Sequence, residues 1–279
     1  MKCICSNRVN KQKGQALVEH IVLWPLMVML TLGTVQMSLL YRAKSTLNDA
    51  TFRAAREGSV KNALKDPMRR KLAEAMAPLE LKRNPGIGGY AIAVTKSVAL
   101  NYTLGAANGG GRIDIVSPTQ VIFNNFARDS IVLVPCPNRN ANCPRNSQFG
   151  EARQRVRQIA NDNLNVRRAT TVRLNSGGQN IDINLQDANL LKIRSHWCYG
   201  LEVPFVNKVI YDVLTSIFRT PGPHTRACQR KTVVARAAGS SNIYYIPISS
   251  DSIVRMQSPV RCETNPRRPN YRNCANFRV

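Results

Sequence analysis

The 279-residue sequence contains few acidic residues and few histidines. It carries 40 Lys and Arg against 16 Asp and Glu, a formal net charge of +24, and only three His. Three imidazoles leave little material for a metal cage or an imidazole-based active site, so we expect no cofactor and no metal. The 16 Gly and 15 Pro follow no period, which excludes collagen and low-complexity linkers. At 43% hydrophobic residues, the chain can still form a folded core.

Motifs of the common enzyme classes are also missing. There is no G-x-S-x-G and no HExxH motif, and the glycine run 109–111 lacks the Lys-Ser/Thr of a phosphate-binding loop, so it predicts a hairpin or loop. His196 and Cys198 alternate across Trp197, so a strand would place both on one face. A Cys/His nucleophile pair is one interpretation, and a disulfide beside a surface imidazole is the other. We therefore predict that the protein is not an enzyme.

The N-terminal part contains a long run without charge. From Ile21 to Tyr41 no side chain is charged, and a helix of this length covers roughly the 30 Å hydrocarbon core of a bilayer. A secretory signal peptide fits poorly, because its apolar part is only about 7–15 residues long and ends at small residues. We predict a transmembrane span at about residues 20–41. Basic residues on both sides of the run leave its orientation open.

Two residues near the start of the run are candidate functional positions. Gly14 joins a basic leader to the apolar run, and Glu19 is the single acid near the start of that run. A carboxylate at the centre of a bilayer costs about 2.5–3.5 kcal/mol, so an acid inside a membrane is by default a functional residue. The alternative is a carboxylate that reaches water at the cytoplasmic boundary.

The segment from Gly14 to Val60, which begins Gly14-Gln-Ala-Leu-Val-Glu19, resembles a known family. It is similar to the type IV pilin superfamily and, more narrowly, to the TadE-like pseudopilins of tight-adherence (Tad/Flp) pilus systems. Stretches at 186–193, 203–206 and 254–259 are similar to landmarks of larger TadE-like proteins of Gram-negative bacteria. The resemblance thus covers most of the chain, with its most specific part at the N-terminus.

The resemblance implies a maturation and assembly route. A prepilin peptidase would cut between Gly14 and Gln15 on the cytoplasmic face, and Glu19 would be the assembly residue. Two positions depart from the family pattern: His20 follows the acid where an aromatic is usual, and Gln15 stands where pilins often have Phe. The implied partners are the peptidase, other Tad pilins or pseudopilins and the inner-membrane assembly platform.

The resemblance also implies a location and a division of the chain. We expect a single-pass protein of the bacterial inner membrane with a cytoplasmic N-terminus and a C-terminal domain that is periplasmic, or extracellular within the pilus. The predicted parts are a leader at 1–14, a long helix at 15–66 and an exterior α+β domain at 67–279.

The cysteines indicate disulfides. Cys3 and Cys5 belong to the leader and would be removed with it. The other six are Cys136, Cys143, Cys198, Cys228, Cys262 and Cys274. In an oxidising periplasm, six thiols predict three disulfides with 15 connectivities, and a buried free thiol is the alternative for each. We favour local pairing in chain order: first with second, third with fourth, and fifth with sixth.

The rest of the pattern predicts an α+β domain. A helical pattern runs past the span to Asp66-Pro67, which gives one helix of about 45 residues with a kink at Pro25. Further helices are predicted at 68–81, 151–163 and 205–219. Strands are predicted at 90–98, 113–116, 131–134, 170–174, 181–185, 190–203, 232–235 and 243–256. Without regular βαβ alternation, these strands favour a mostly antiparallel sheet.

Arginines concentrate in two regions of the exterior domain. Removal of the four leader cations lowers the net charge only from +24 to +20. The candidate polyanion-binding residues are Arg145, Arg153, Arg155, Arg157, Arg167, Arg168, Arg267, Arg268 and Arg272. Such clusters attract DNA, lipopolysaccharide, an anionic surface or an acidic partner subunit. The alternative is a solvated face that only sets solubility.

Three functional hypotheses follow. The first is a pseudopilin or minor pilin for assembly of a Tad-type pilus, including a place at its tip. The second is an adhesin or DNA-capture module on the same anchor, which the arginines permit. The third is a membrane-tethered periplasmic enzyme, supported only by the His196–Cys198 spacing.

Overall fold

The structure is a computed structural model, and it describes residues 15–80, 111–135, 151–162, 164, 171–176, 179–217, 222–237 and 243–262. Its helices are α1 (Gln15–Val60), α2 (Lys65–Glu80), α3 (Gln120–Phe126), α4 (Leu185–Ala188), α5 (Val206–Ile217) and α6 (Pro223–Ala237). Its strands are β1 (Arg112–Ser117), β2 (Arg128–Pro135), β3 (Glu151–Ile159), β4 (Val172–Ser176), β5 (Gln179–Ile183), β6 (Leu190–Leu201), β7 (Tyr244–Arg255) and β8 (Val260–Arg261). A long helix followed by antiparallel sheets and helices confirms the predicted α+β fold.

Helix α1 is 46 residues long, which corresponds to about 69 Å. Its length is close to the predicted value of about 45, although it is shorter at its C-terminal end than the predicted range 15–66. It continues through Pro25. In its C-terminal half, Ala43, Leu47, Ala50 and Ala54 recur at helical spacing and are fully buried. This stripe packs on β6 and β7, and its small side chains allow the helix to approach the sheet closely. The second half of α1 is therefore part of the domain core.

The C-terminal end of α1 lies at Val60, earlier than the end predicted at residue 66. Asn62 and Ala63 both have a φ of 58°, a left-handed conformation that does not continue a right-handed helix. The backbone N–H groups of residues 257 and 258 donate to the carbonyl oxygen of Ser59 at 3.1 and 2.9 Å. A segment almost 200 residues away thus satisfies the helix end, which a local sequence pattern cannot indicate.

Helix α2 begins at Lys65 instead of at the predicted residue 68. Pro67 lies in its first turn, where the missing N–H of proline costs no intrahelical hydrogen bond. Met68, Leu72 and Met76 form its buried face, which packs against α1.

The central sheet has the strand order β1-β6-β7 and is antiparallel throughout. Along β6, Leu191, Ile193 and Ser195 are buried on the face that α1 covers, and the hydroxyls of Thr51 and Ser195 are hydrogen-bonded to each other. Since side chains alternate along a strand, His196 and Cys198 lie on the opposite face. Helix α6 packs on that opposite face.

Two smaller antiparallel sheets complete the described part of the domain. Strands β2, β3 and β8 form one in that order, and β4 pairs with β5 in the other. The buried Asn189 connects several segments of the domain. Its side-chain amide nitrogen donates to the backbone carbonyls of Ala160 and Leu185, and its backbone carbonyl accepts from the N–H of Met256. One hydrophobic cluster, with Phe123 and Trp197 among its largest members, runs under these elements.

Among the described residues, two predicted elements are wrong in type. Residues 151–159 form β3 instead of a helix, because pairing with all of β2 overrides an apolar spacing that also fits a helix. Residues 232–235 belong to α6 instead of a strand. There the Thr232 hydroxyl donates to the carbonyl of Cys228 one turn earlier and accepts from the N–H of Tyr245, so contacts outside the segment fix the helix. The strand predicted at 90–98 lies outside the described residues.

Candidate functional site

The N-terminal half of α1 is an exposed apolar rod. Large hydrophobic side chains from Ile21 to Met37 face outward, and Trp24 is 69% exposed. The helix is long and apolar enough to cross a membrane. In water, the exposure of apolar side chains over so many consecutive turns is unfavourable. A bilayer or a bundle of neighbouring helices would cover these side chains.

Among the described side chains of α1, Gln36 is the first that is fully buried, and it lies inside the predicted span of about 20–41. Its side-chain oxygen Oε1 accepts hydrogen bonds from the backbone N–H groups of Glu202 and Val203 at 3.2 and 2.9 Å. The mostly exposed stretch before it, residues 19–35, is about 26 Å long. That length is close to the thickness of a hydrocarbon core.

Gln36→Ala is expected to lower the free energy of unfolding by about 2 kcal/mol, because two backbone donors, the buried N–H of Val203 and the partly buried N–H of Glu202, lose their shared acceptor. Urea unfolding of the detergent-solubilised chain measures the change. Ser38→Ala, at an exposed position on the same helix, is the matched control and should stay within about 0.5 kcal/mol of wild type. An equal effect of the two substitutions would contradict a role for Gln36 in joining helix and domain.

Glu19 lies at the exposed N-terminal end of this rod, one turn from the first residue of α1. Within the described part of the chain it has no ion-pair partner. Gly14 precedes the described residues, and Gln15 is the first residue of α1, about 6 Å along the helix axis from Glu19. An exposed carboxylate at this place is available to a group from outside the chain.

A disulfide joins Cys198 in β6 to Cys228 in α6, with a Cα–Cα distance of 5.4 Å. This pair was predicted, and it favours the disulfide interpretation of Cys198 over a nucleophile. Cys262 is also disulfide-bonded. Cys136, Cys143 and Cys274 lie outside the described residues, so their predicted pairing stays a prediction.

Two histidines and an aspartate converge next to this disulfide. His196 in β6 stacks on His224 in α6 with ring centroids 3.5 Å apart and an interplanar angle of 11°. The Nε2 atoms of the two rings lie 3.7 and 3.8 Å from Oδ2 of Asp114 in β1. The other carboxylate oxygen, Oδ1, accepts from Nε of Arg112 at 2.8 Å. Sequence reasoning missed this cluster, since His224 lies 28 positions from its stacking partner.

Burial shifts both imidazoles of the cluster towards the neutral form. Burial lowers the pKa of His196 to about 4, with a further contribution from His224 that outweighs the opposing attraction of Asp114. Burial and Arg112 lower the pKa of His224 as well. Neutral imidazoles have a free nitrogen lone pair, and stacking of two neutral rings carries no charge repulsion.

The described part of the arginine clusters is small. Arg155 is exposed on β3, whereas the Nη2 of the half-buried Arg157 donates to the carbonyl of Asn124 at 2.9 Å. The other seven candidates lie outside the side chains that the structure describes. Arg155 is thus available to an anion, and Arg157 is partly engaged in the fold.

Helix α1 thus combines an exposed apolar half with a second half that is buried in an α+β domain. Comparison with known families adds a resemblance: residues 14–56 match the family model described as TadE-like protein, which confirms the predicted resemblance for that segment. The match includes Gly14 and Glu19. Neither the curated proteins nor the solved structures contain a match to the chain. TadE-like proteins are pilin-type structural components and not a known enzyme family.

Proposed function

We propose that this protein is a minor pilin or pseudopilin subunit of a Tad-type pilus, matured by a prepilin peptidase and assembled through Glu19. The observation that carries the proposal is that the TadE-like match at residues 14–56 includes the whole exposed apolar half of α1. An apolar helix that leaves a bilayer needs another apolar environment, and a filament core of like helices supplies it.

We propose the following topology. The leader lies in the cytoplasm, residues 19–35 cross the inner membrane, and the domain lies in the periplasm or, after assembly, in the extracellular filament. The Cys198–Cys228 disulfide supports this side of the membrane, because disulfides persist in oxidising compartments. Other Tad pilins and the inner-membrane assembly platform are the proposed partners.

The proposal is tested by mass spectrometry of sheared and purified pili from two strains, one with and one without the prepilin peptidase. We expect peptides of this chain in filaments of the first strain only. In the second strain the chain should remain in the membrane at full length. The proposal would be contradicted if the chain is absent from filaments of the strain with the peptidase, or if it is incorporated into filaments without the peptidase.

A second candidate function is capture of polyanions by the exterior domain. The exposed Arg155 on β3 favours it, together with a net charge of +20 after loss of the leader. The anion would be DNA, lipopolysaccharide or another anionic surface bound through phosphates. The membrane-tethered enzyme has less support, because Cys198 is held in a disulfide.

Binding to DNA or lipopolysaccharide is expected to fall about 10³–10⁵-fold between 50 and 200 mM salt if six to ten phosphates are neutralised. Fluorescence anisotropy with a labelled oligonucleotide measures this slope. Arg155→Gln should weaken binding at low salt, whereas Arg157→Gln, whose side chain is partly held by Asn124, should have a smaller effect. If the protein does not bind at low salt, or if its affinity does not change with salt, the arginines only determine solubility.

A further inference from the structure

We propose that Asp114, His196 and His224 form a binding site for one divalent transition metal ion, for which zinc is the probe metal. Each residue offers one ligand atom, and these atoms all lie within 4.8 Å of one another. The three residues come from β1, β6 and α6, so the site joins three elements of the domain. The inference is independent of the proposed function in pilus assembly.

The ligand set selects the class of metal. Two imidazoles and one carboxylate suit zinc, copper, nickel and iron, whereas magnesium and calcium prefer sites made of oxygen ligands. Three protein ligands leave a fourth tetrahedral position for water or another small ligand. The sequence contains three His in all, and two of them meet at this one carboxylate.

The distances between the ligand atoms are close to those around a zinc ion. With metal–ligand distances of about 2.0–2.1 Å, ligand atoms around a tetrahedral ion lie about 3.3 Å apart. Here Oδ2 of Asp114 lies 3.7 and 3.8 Å from the two Nε2 atoms. Because the two rings are stacked and nearly parallel, metal binding would turn them out of the stack so that both nitrogen lone pairs point at one ion.

The neighbouring cations are already paired. Arg112 donates to Oδ1 of Asp114, which orients the carboxylate and leaves Oδ2 facing the histidines. Such an outer partner on a ligating carboxylate is typical of metal sites. Arg194, the other nearby cation, forms two hydrogen bonds to Asp251 at 2.6 and 2.9 Å. Arg194 is thus matched by an acid outside the site, which reduces its repulsion of an incoming metal ion, whereas the acid paired with Arg112 is the proposed ligand Asp114 itself.

The Cys198–Cys228 disulfide links the two elements that carry the histidines. Cys198 lies two positions after His196 on β6, and Cys228 lies four positions, about one helical turn, after His224 on α6. The covalent bond therefore fixes the spacing between the strand and the helix that carry the two imidazoles. A bound metal would fasten α6 to the sheet at a second point.

The test is zinc binding to the oxidised, detergent-solubilised full chain without a polyhistidine tag. A Cys3→Ser/Cys5→Ser background removes the leader thiols, which would bind zinc on their own. Isothermal titration with ZnCl₂ should give one ion per chain with a Kd in the micromolar range or tighter. His196→Gln and His224→Gln should each weaken binding by about 100-fold or more, while His20→Gln, which changes the third histidine, should leave it unaltered.

Chemical protection keeps the test decisive if a variant fails to fold. On the background chain with its histidines intact, bound zinc should protect His196 and His224 from diethyl pyrocarbonate, read by mass spectrometry, and leave the exposed His20 reactive. Equal modification of all three histidines with and without zinc would overturn the site. Unchanged zinc affinity in a folded His196→Gln/His224→Gln variant, or no zinc binding at millimolar zinc, would overturn it as well.

Discussion

Replacement of Glu19 by alanine is expected to leave cleavage after Gly14 intact and to lower incorporation into filaments on the order of a hundredfold. Once the leader is removed, the α-amine of Gln15 lies one helical turn before this carboxylate. In a filament the Glu19 carboxylate of one subunit can pair with the Gln15 amine of its neighbour, so neither charge is buried alone. Loss of one partner from such a pair costs about 3–5 kcal/mol, which corresponds to a hundredfold or more.

Western blots of sheared pili and membrane fractions measure this effect. Gly14→Ala is the contrasting variant, because it should block cleavage and leave the full-length chain in the membrane. His20→Ala, next to the acid, is the matched control and should be cleaved and incorporated. Incorporation of the Glu19→Ala protein at the wild-type level would mean that the carboxylate only reaches water at the membrane boundary. Cyclisation of Gln15 in the mature protein would remove the amine and contradict the pairing itself.

Removal of the Cys198–Cys228 disulfide by a double serine substitution is expected to lower the free energy of unfolding by about 3–4 kcal/mol. The two cysteines are 30 positions apart, so the cross-link removes a large loop-closure entropy from the unfolded chain. The bond also holds α6, which lies on the face of the central sheet opposite α1. Changing both cysteines avoids a free thiol that could pair wrongly.

Urea unfolding at 25 °C of the oxidised chain in detergent measures this loss. Arg230→Ala, at an exposed position of α6 two residues from Cys228, is the control and should change the unfolding free energy by less than about 0.5 kcal/mol. A loss below about 1 kcal/mol in the double variant would show that packing alone fixes α6 on the sheet.

Elements whose pattern is strong and local were predictable. The uncharged run and the spacing of Leu47, Ala50 and Ala54 indicated a helix of almost the observed length. Its end at Val60 was not predictable, because backbone groups near residue 257 satisfy it from the far end of the sequence. The same reason explains β3, whose strand conformation comes from pairing with β2 and β8.

The candidate sites also differ in how local their sequence pattern is. Gly14, Glu19 and the family resemblance were all predicted from one contiguous segment. The alternation of His196 and Cys198 indicated a shared strand face, and α6 does contact both residues. Only one of their partners could be predicted from the sequence. Cys228 was proposed from local pairing, whereas Asp114 and His224 come together only when β1, β6 and α6 pack against one another.

The most direct test is the N-terminal sequence of the protein taken from membranes and from pili. If the chain is a peptidase-processed pilin subunit, the mature protein begins at Gln15 with a free α-amine in both fractions, and its mass lacks residues 1–14. An intact Met1 in protein recovered from filaments would contradict maturation after Gly14 and, with it, assembly through the amine of Gln15 and the carboxylate of Glu19.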